Sequence, residues 1–134
     1  MEERTLSSRD LLAPGGGGLS CAEAREIARE VLAALEPEPA AADNVLTVVS
    51  ELVSNASRHA GGASGFRISA HAGTVTVEVS DRSPSPPRLQ PWAPEVPGGF
   101  GWRLVNQLAR TDVHVHQGGK TVTATLTTGA SGTL

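Results

Sequence analysis

The sequence predicts an α/β sandwich in which three helices cover one face of a sheet of about four strands. Apolar residues recur at helical spacing in three segments and alternate with polar ones in four others. The two patterns follow one another as helix, helix, strand, strand, long loop, helix, strand, strand. A chain of 134 residues is long enough for one compact core and too short for two ordinary domains. With two Phe, two Trp and no Tyr, that core must be built from Val, Leu, Ile and Ala.

Residues 1–18 are polar and end in four glycines, which predicts a flexible N-terminal segment, and the small residues of 129–134 predict a flexible tail. The folded domain is expected over 19–128. Ser20-Cys21-Ala22-Glu23 matches a capping box, so a first helix should run from about Cys21 to Leu35, with Ile27, Val31 and Leu35 on its apolar stripe. Pro37 and Pro39 should end it. A second helix is expected from near Ala41 or Asp43 to the glycine pair Gly61-Gly62. At roughly 100° per residue, Val45, Val48, Val49, Leu52 and Ala56 fall on one face of it, and Glu51 and Asn55 lie side by side on the border of that face.

Phe66, Ile68 and Ala70, then Val75, Val77 and Val79, alternate with polar residues on either side of Ala72-Gly73, the pattern of a hairpin with one buried face. Asp81 ends its second strand. The prolines between Ser83 and Gly99 exclude a central strand or a helix interior, so a loop over about 82–98 is expected, long enough to serve as a lid. A third helix follows Gly99-Phe100-Gly101, with Leu104, Val105 and Leu108 at helical spacing. Val113 and Val115, then Val122, Ala124 and Leu126, give two more strands joined at Gln117-Gly118-Gly119.

Net charge is −3 and the eleven Lys and Arg form no basic run, which argues against nucleic acid as a partner. Nothing approaches the roughly 18 apolar residues of a membrane span, and the first residues carry no signal-peptide pattern. A cytoplasmic location is therefore expected. Cys21, the one cysteine, has no intramolecular partner and reads as a structural or incidental thiol. His114 and His116 share a strand face but lack a third ligand at suitable spacing, so solvent-facing residues are expected there. His59 can interact with the last carbonyls of the second helix.

Gly119-Lys120-Thr121 resembles the end of a phosphate-binding P-loop, but the first glycine of that motif would fall at His114 and a strand follows where a helix is required. Gly99 and Gly101, opening a helix, offer backbone amides and a positive helix end to polyphosphate, or simply loosen a loop. Glu51 and Asn55 form either a solvated polar flank or a proton acceptor beside a neutral oxygen ligand suited to Mg²⁺.

Together these segments resemble the GHKL (histidine-kinase-like) ATPase superfamily, and in particular small bacterial anti-sigma-factor serine/threonine kinases. Val49-Ser50-Glu51-Leu52-Val53-Ser54-Asn55-Ala56-Ser57-Arg58-His59-Ala60 resembles that family's N box. Val77 to Asp81 is similar to the strand entering the G1 box, Gly99-Phe100-Gly101-Trp102 to the G2 box, and Gly119-Lys120-Thr121-Val122 to the closing Gly-x-Thr strand. The resemblance implies a Bergerat-type ATP-binding fold, a two-layer sandwich with a mixed, mainly antiparallel sheet. It implies ATP and Mg²⁺ as ligands, with Asn55 holding the metal, Glu51 as catalytic base toward a protein serine, and Asp81 accepting from the adenine amino group. It also places Gly99 and Gly101 at the phosphates and Thr121 near the base. The implied partners are a sigma factor and an anti-sigma antagonist; apart from the resemblance, the first helix and a sheet edge offer surfaces for a homodimer.

One box departs from the family pattern. Where Asp-x-Gly-x-Gly is usual, Asp81 is followed by Arg82-Ser83-Pro84-Ser85, with serine at both glycine positions. The alternative to a kinase is therefore a non-catalytic protein-binding module with a degenerate nucleotide site.

Overall fold

The computed structural model of the chain describes residues 7–12, 19–85 and 101–128. Helix α1 spans Cys21–Leu35, and both halves of the expected capping box form: the Glu23 amide donates to Ser20 Oγ at 3.1 Å and the Ser20 amide to Glu23 Oε1 at 3.0 Å. Ala24, Ala28, Val31 and Leu32 are its buried residues. The helix ends as Glu36 turns left-handed (φ 53°).

Helix α2 spans Pro39–Ala60, beginning two residues before the earliest expected start. Pro39, expected only to end the first helix, opens the second. Proline suits that position because its missing N–H would have no intrahelical acceptor and its φ is already helical. The helix stops where Gly61 turns left-handed (φ 76°) and the Gly62 amide donates to Ala56 O at 3.0 Å. Val45, Val48, Val49 and Val53 are wholly buried. Each contributes about 1.5–3 kcal/mol relative to exposure.

Strands β2 (Ala63–His71) and β3 (Thr74–Asp81) form the expected hairpin, followed in sequence by α3 (Gly101–Leu108), β4 (Arg110–His116) and β5 (Gly119–Thr127). A further strand, β1 (Ser7–Leu12), pairs with β2 from Ser7↔Ala70 to Leu12↔Gly65. This corrects the expectation of a flexible 1–18 for residues 7–12. Ser7-Ser8-Arg9-Asp10-Leu11-Leu12 has no β-branched residue and little alternation, and its extended state is matched by backbone hydrogen bonding to a neighbour distant in sequence. Residues 1–6 and 13–18, the tail 129–134, and 86–98 of the expected lid lie outside the described residues.

The five strands are ordered β1-β2-β3-β5-β4, and every described pairing is antiparallel. Phe66, Ile68 and Ala70, Val75, Val77 and Val79, and Val122, Ala124 and Leu126 point into one core with α1 and α2. The opposite sheet face carries Thr76, Glu78, Ser80, Thr121, Thr123 and Thr125, half-buried among themselves. One-sided packing of this kind produces the two-layer sandwich.

Candidate functional site

The long buried stripe of α2 fixes that helix against the sheet, and the border of the stripe presents Glu51 and Asn55, both half-buried and one turn apart. Helix α3 packs on α2 with its first residue, Gly101, buried against Glu51. A Cβ on Gly101 would collide with Glu51 Oε1, would sit 3.4 Å from Glu51 Cδ and 3.8 Å from Arg58 Nη2. A carboxylate and a guanidinium thus meet at the N-terminal end of α3, where the unpaired amides of a helix create positive potential. Gly101 was expected for its amide; the structure adds a steric reason for glycine. Gly99 lies outside the described residues.

At the end of β3, Asp81 follows the parity of Val75, Val77 and Val79 and turns inward toward the core face. Its cross-strand partner in β5 is Lys120. The ammonium lies 3.0 Å from Oδ1 and 2.9 Å from Oδ2, and both side chains are 3% exposed. Lys120 Nζ also donates to Ser83 O at 3.3 Å, and the Ser83 amide donates to Asp81 Oδ1 at 2.9 Å. Burial strengthens these charge-assisted bonds, and it makes either charge costly to leave alone. Gly119, with φ +150°, brings the start of β5 against β3 so closely that a Cβ would overlap Asp81 O and lie 2.8 Å from Arg82 Cα.

Thr121 sits on the other face of the sheet. Its Oγ1 is 2.9 Å from Ser80 Oγ and 3.2 Å from His116 Nε2. The structure therefore does not bring Thr121 beside Asp81; Lys120 stands there. Strand alternation held the signal, because Val122, Ala124 and Leu126 put even-numbered positions inward, Lys120 among them. That Lys120 faces Asp81 depends on β3 pairing with β5, which no local pattern announces.

Ser83 and Ser85, at the two glycine positions of the G1 pattern, do not adopt positive φ, and the Ser85 amide donates to Ser83 Oγ at 3.2 Å. Cys21 is half-buried, its Sγ 3.2 Å from Ser54 Oγ and 3.5 Å from Ser50 O, and so ties α1 to α2. His114 and His116 are exposed with ring centroids 5.8 Å apart. Among the described residues, no three His, Cys, Asp or Glu side chains cluster as metal ligands, and no helix is long and apolar enough to cross a membrane.

A family profile described as the histidine kinase-like ATPase domain matches residues 20–126. No curated protein matches the sequence. Among solved structures, the RsbU and RsbW domains of Rv1364c from Mycobacterium tuberculosis align with a TM-score of 0.61 at 21% identity, covering 92% of this chain and 32% of that one. This chain thus spans about a third of that structure's length, and the likeness is one of fold. The histidine kinase domain of the blue-light activated histidine kinase EL346 from Erythrobacter litoralis aligns with a TM-score of 0.49 at 20% identity, covering 87% of this chain and 66% of that one.

Proposed function

The chain belongs to the histidine kinase-like ATPase domain family, and from that premise we propose that it binds ATP with Mg²⁺ in the space bordered by α2, the end of β3 and the start of α3. We propose further that it acts as an anti-sigma-factor-type regulator, binding a sigma factor and phosphorylating an anti-sigma antagonist on serine. The observation that carries the reading is the seating of Gly101 on Glu51. It sets a proton acceptor at the end of a helix whose amides and dipole suit phosphate.

The donor set fits the ligands. Asn55 offers one neutral oxygen, and among the described residues no three His, Cys, Asp or Glu side chains cluster as metal ligands. A hard cation there would take most of its ligands from phosphate oxygens and water, which is how Mg²⁺ commonly binds nucleotides. When bound, Mg²⁺ supplies charge neutralisation on the phosphates. Asn55 would hold it, the Gly101 amide would meet phosphate oxygens, and Glu51 would take the proton from an incoming serine hydroxyl. Phosphoryl transfer asks mainly for such positioning and electrostatic support. The sigma-factor and antagonist partners rest on the N-box resemblance of Val49 to Ala60.

Two observations favour the second reading, a protein-binding module with a weakened nucleotide site. Lys120 occupies the Asp81 carboxylate, and serine replaces glycine at 83 and 85. Titration with Mg-ATP, followed by calorimetry and thermal melting, decides between them. Ligand at 100 times its dissociation constant should stabilise the fold by about 2.7 kcal/mol. No heat and no shift at millimolar Mg-ATP would leave the binding module.

A further inference from the structure

We propose that Lys120 withdraws Asp81 from base recognition, so that the site accepts purine nucleoside triphosphates without reading the amino group at position 6 of the base. This rests on the reading of the site as a nucleotide pocket. It concerns what the pocket distinguishes within that ligand class.

An aspartate recognises an exocyclic amine by offering it a carboxylate lone pair. In this chain the Lys120 ammonium donates to Asp81 Oδ1 at 3.0 Å and lies 2.9 Å from Oδ2, Oδ1 accepts from the Ser83 amide as well, and burial of the carboxylate to 3% exposure closes its remaining lone pairs to a base. The remaining ammonium hydrogen points to Ser83 O at 3.3 Å, so the lysine has no donor left to turn toward a base keto group either. A base amine is a neutral donor, whereas the lysine ammonium adds the attraction of opposite charges to its hydrogen bond with the carboxylate. Exchange of lysine for amine would therefore be unfavourable. It would also strand an ammonium that is 3% exposed.

The backbone closes off the other escape, a parting of the two strand ends. Lys120 and Asp81 are direct cross-strand partners, and the neighbouring Gly119 is packed on the Asp81 carbonyl and Arg82 Cα with no room for a side chain. The pair is held from both sides of the ladder. With donor and acceptor engaged in each other, an amino and a keto substituent meet the same closed surface.

The test compares ATP with ITP, which carries a keto group in place of the 6-amino group. On the wild-type chain with Mg²⁺, calorimetric affinities for the two should agree within about threefold, since no net hydrogen bond distinguishes them. In Lys120→Met, which keeps the volume but frees the carboxylate, ATP should be preferred over ITP by about tenfold to hundredfold, the range expected for a hydrogen bond to a charged group. A wild-type preference for ATP above tenfold overturns the proposal and leaves the nucleotide reading standing. So does a folded Lys120→Met that binds both alike. Absence of binding by either nucleotide to either protein overturns the nucleotide reading and this proposal with it. The wild-type comparison stands alone if the variant does not fold.

Discussion

The first residue of α3, Gly101, is seated on the Glu51 carboxylate of α2 so closely that a single methyl group would overlap Oε1. A second glycine, Gly119, is confined more tightly, by the Asp81 carbonyl and Arg82 Cα. The two contacts differ in what can yield. Oε1 is the free end of a rotatable side chain, whereas the other contact is backbone inside a sheet.

Gly101→Ala should accordingly change folding stability by less than about 1 kcal/mol, since Glu51 can swing aside. Gly119→Ala combines an immovable overlap with φ +150° and should cost about 3 kcal/mol or more. Urea denaturation of both variants measures the contrast. Equal losses would mean that the Glu51 side chain is as rigid as the sheet.

For the proposed kinase, Glu51→Ala should lower single-turnover transfer to an antagonist serine by about 10²- to 10⁴-fold, the usual contribution of a general base. Nucleotide binding should change little. Asn55→Ala should instead weaken the Mg²⁺-dependent part of ATP binding. Titrations with and without the metal separate the two, and a transfer rate unaltered in Glu51→Ala removes that residue from the chemistry.

The ion pair carries a stability prediction independent of any ligand. Lys120→Met strands a buried carboxylate and should destabilise the fold by about 3–5 kcal/mol. Adding Asp81→Asn removes the stranded charge and should recover most of the loss. Chemical denaturation of the single and double variants gives the coupling, and additive effects would show the pair to be solvated rather than buried.

The β2–β3 turn offers a gain. Ala72 and Gly73 both adopt left-handed conformations (φ 52° and 80°), the geometry of a two-residue hairpin turn for which Asn-Gly is the favoured pair. An alanine there is strained by about 1–2 kcal/mol. Ala72→Asn should raise stability by about 1 kcal/mol, visible as a higher melting temperature. A decrease would mean that the turn geometry differs in solution.

Residues whose state depends on near neighbours in the chain were legible without coordinates. Ser20 and Glu23 form their capping box, α1 runs over the expected Cys21–Leu35, and Glu51 and Asn55 share a border of α2. Pro39 is ambiguous in sequence because the same ring that breaks a helix interior also suits a helix start. Strand β1 leaves little trace in the sequence, because its six residues pair through their backbone and carry no alternating side-chain pattern.

The apolar periodicities are written in the chain, and with them the three helices, the two hairpins, the one-sided core and the acid-amide pair on α2. Which elements meet depends on the packed fold: Gly101 on Glu51, and Lys120 on Asp81 rather than Thr121 near it. Helix and strand patterns arise from interactions over two to four residues. The register of β3 against β5 and the approach of α3 to α2 join residues about 40 and 50 positions apart. Those contacts are selected by the packing of the whole core, which no short window of sequence contains.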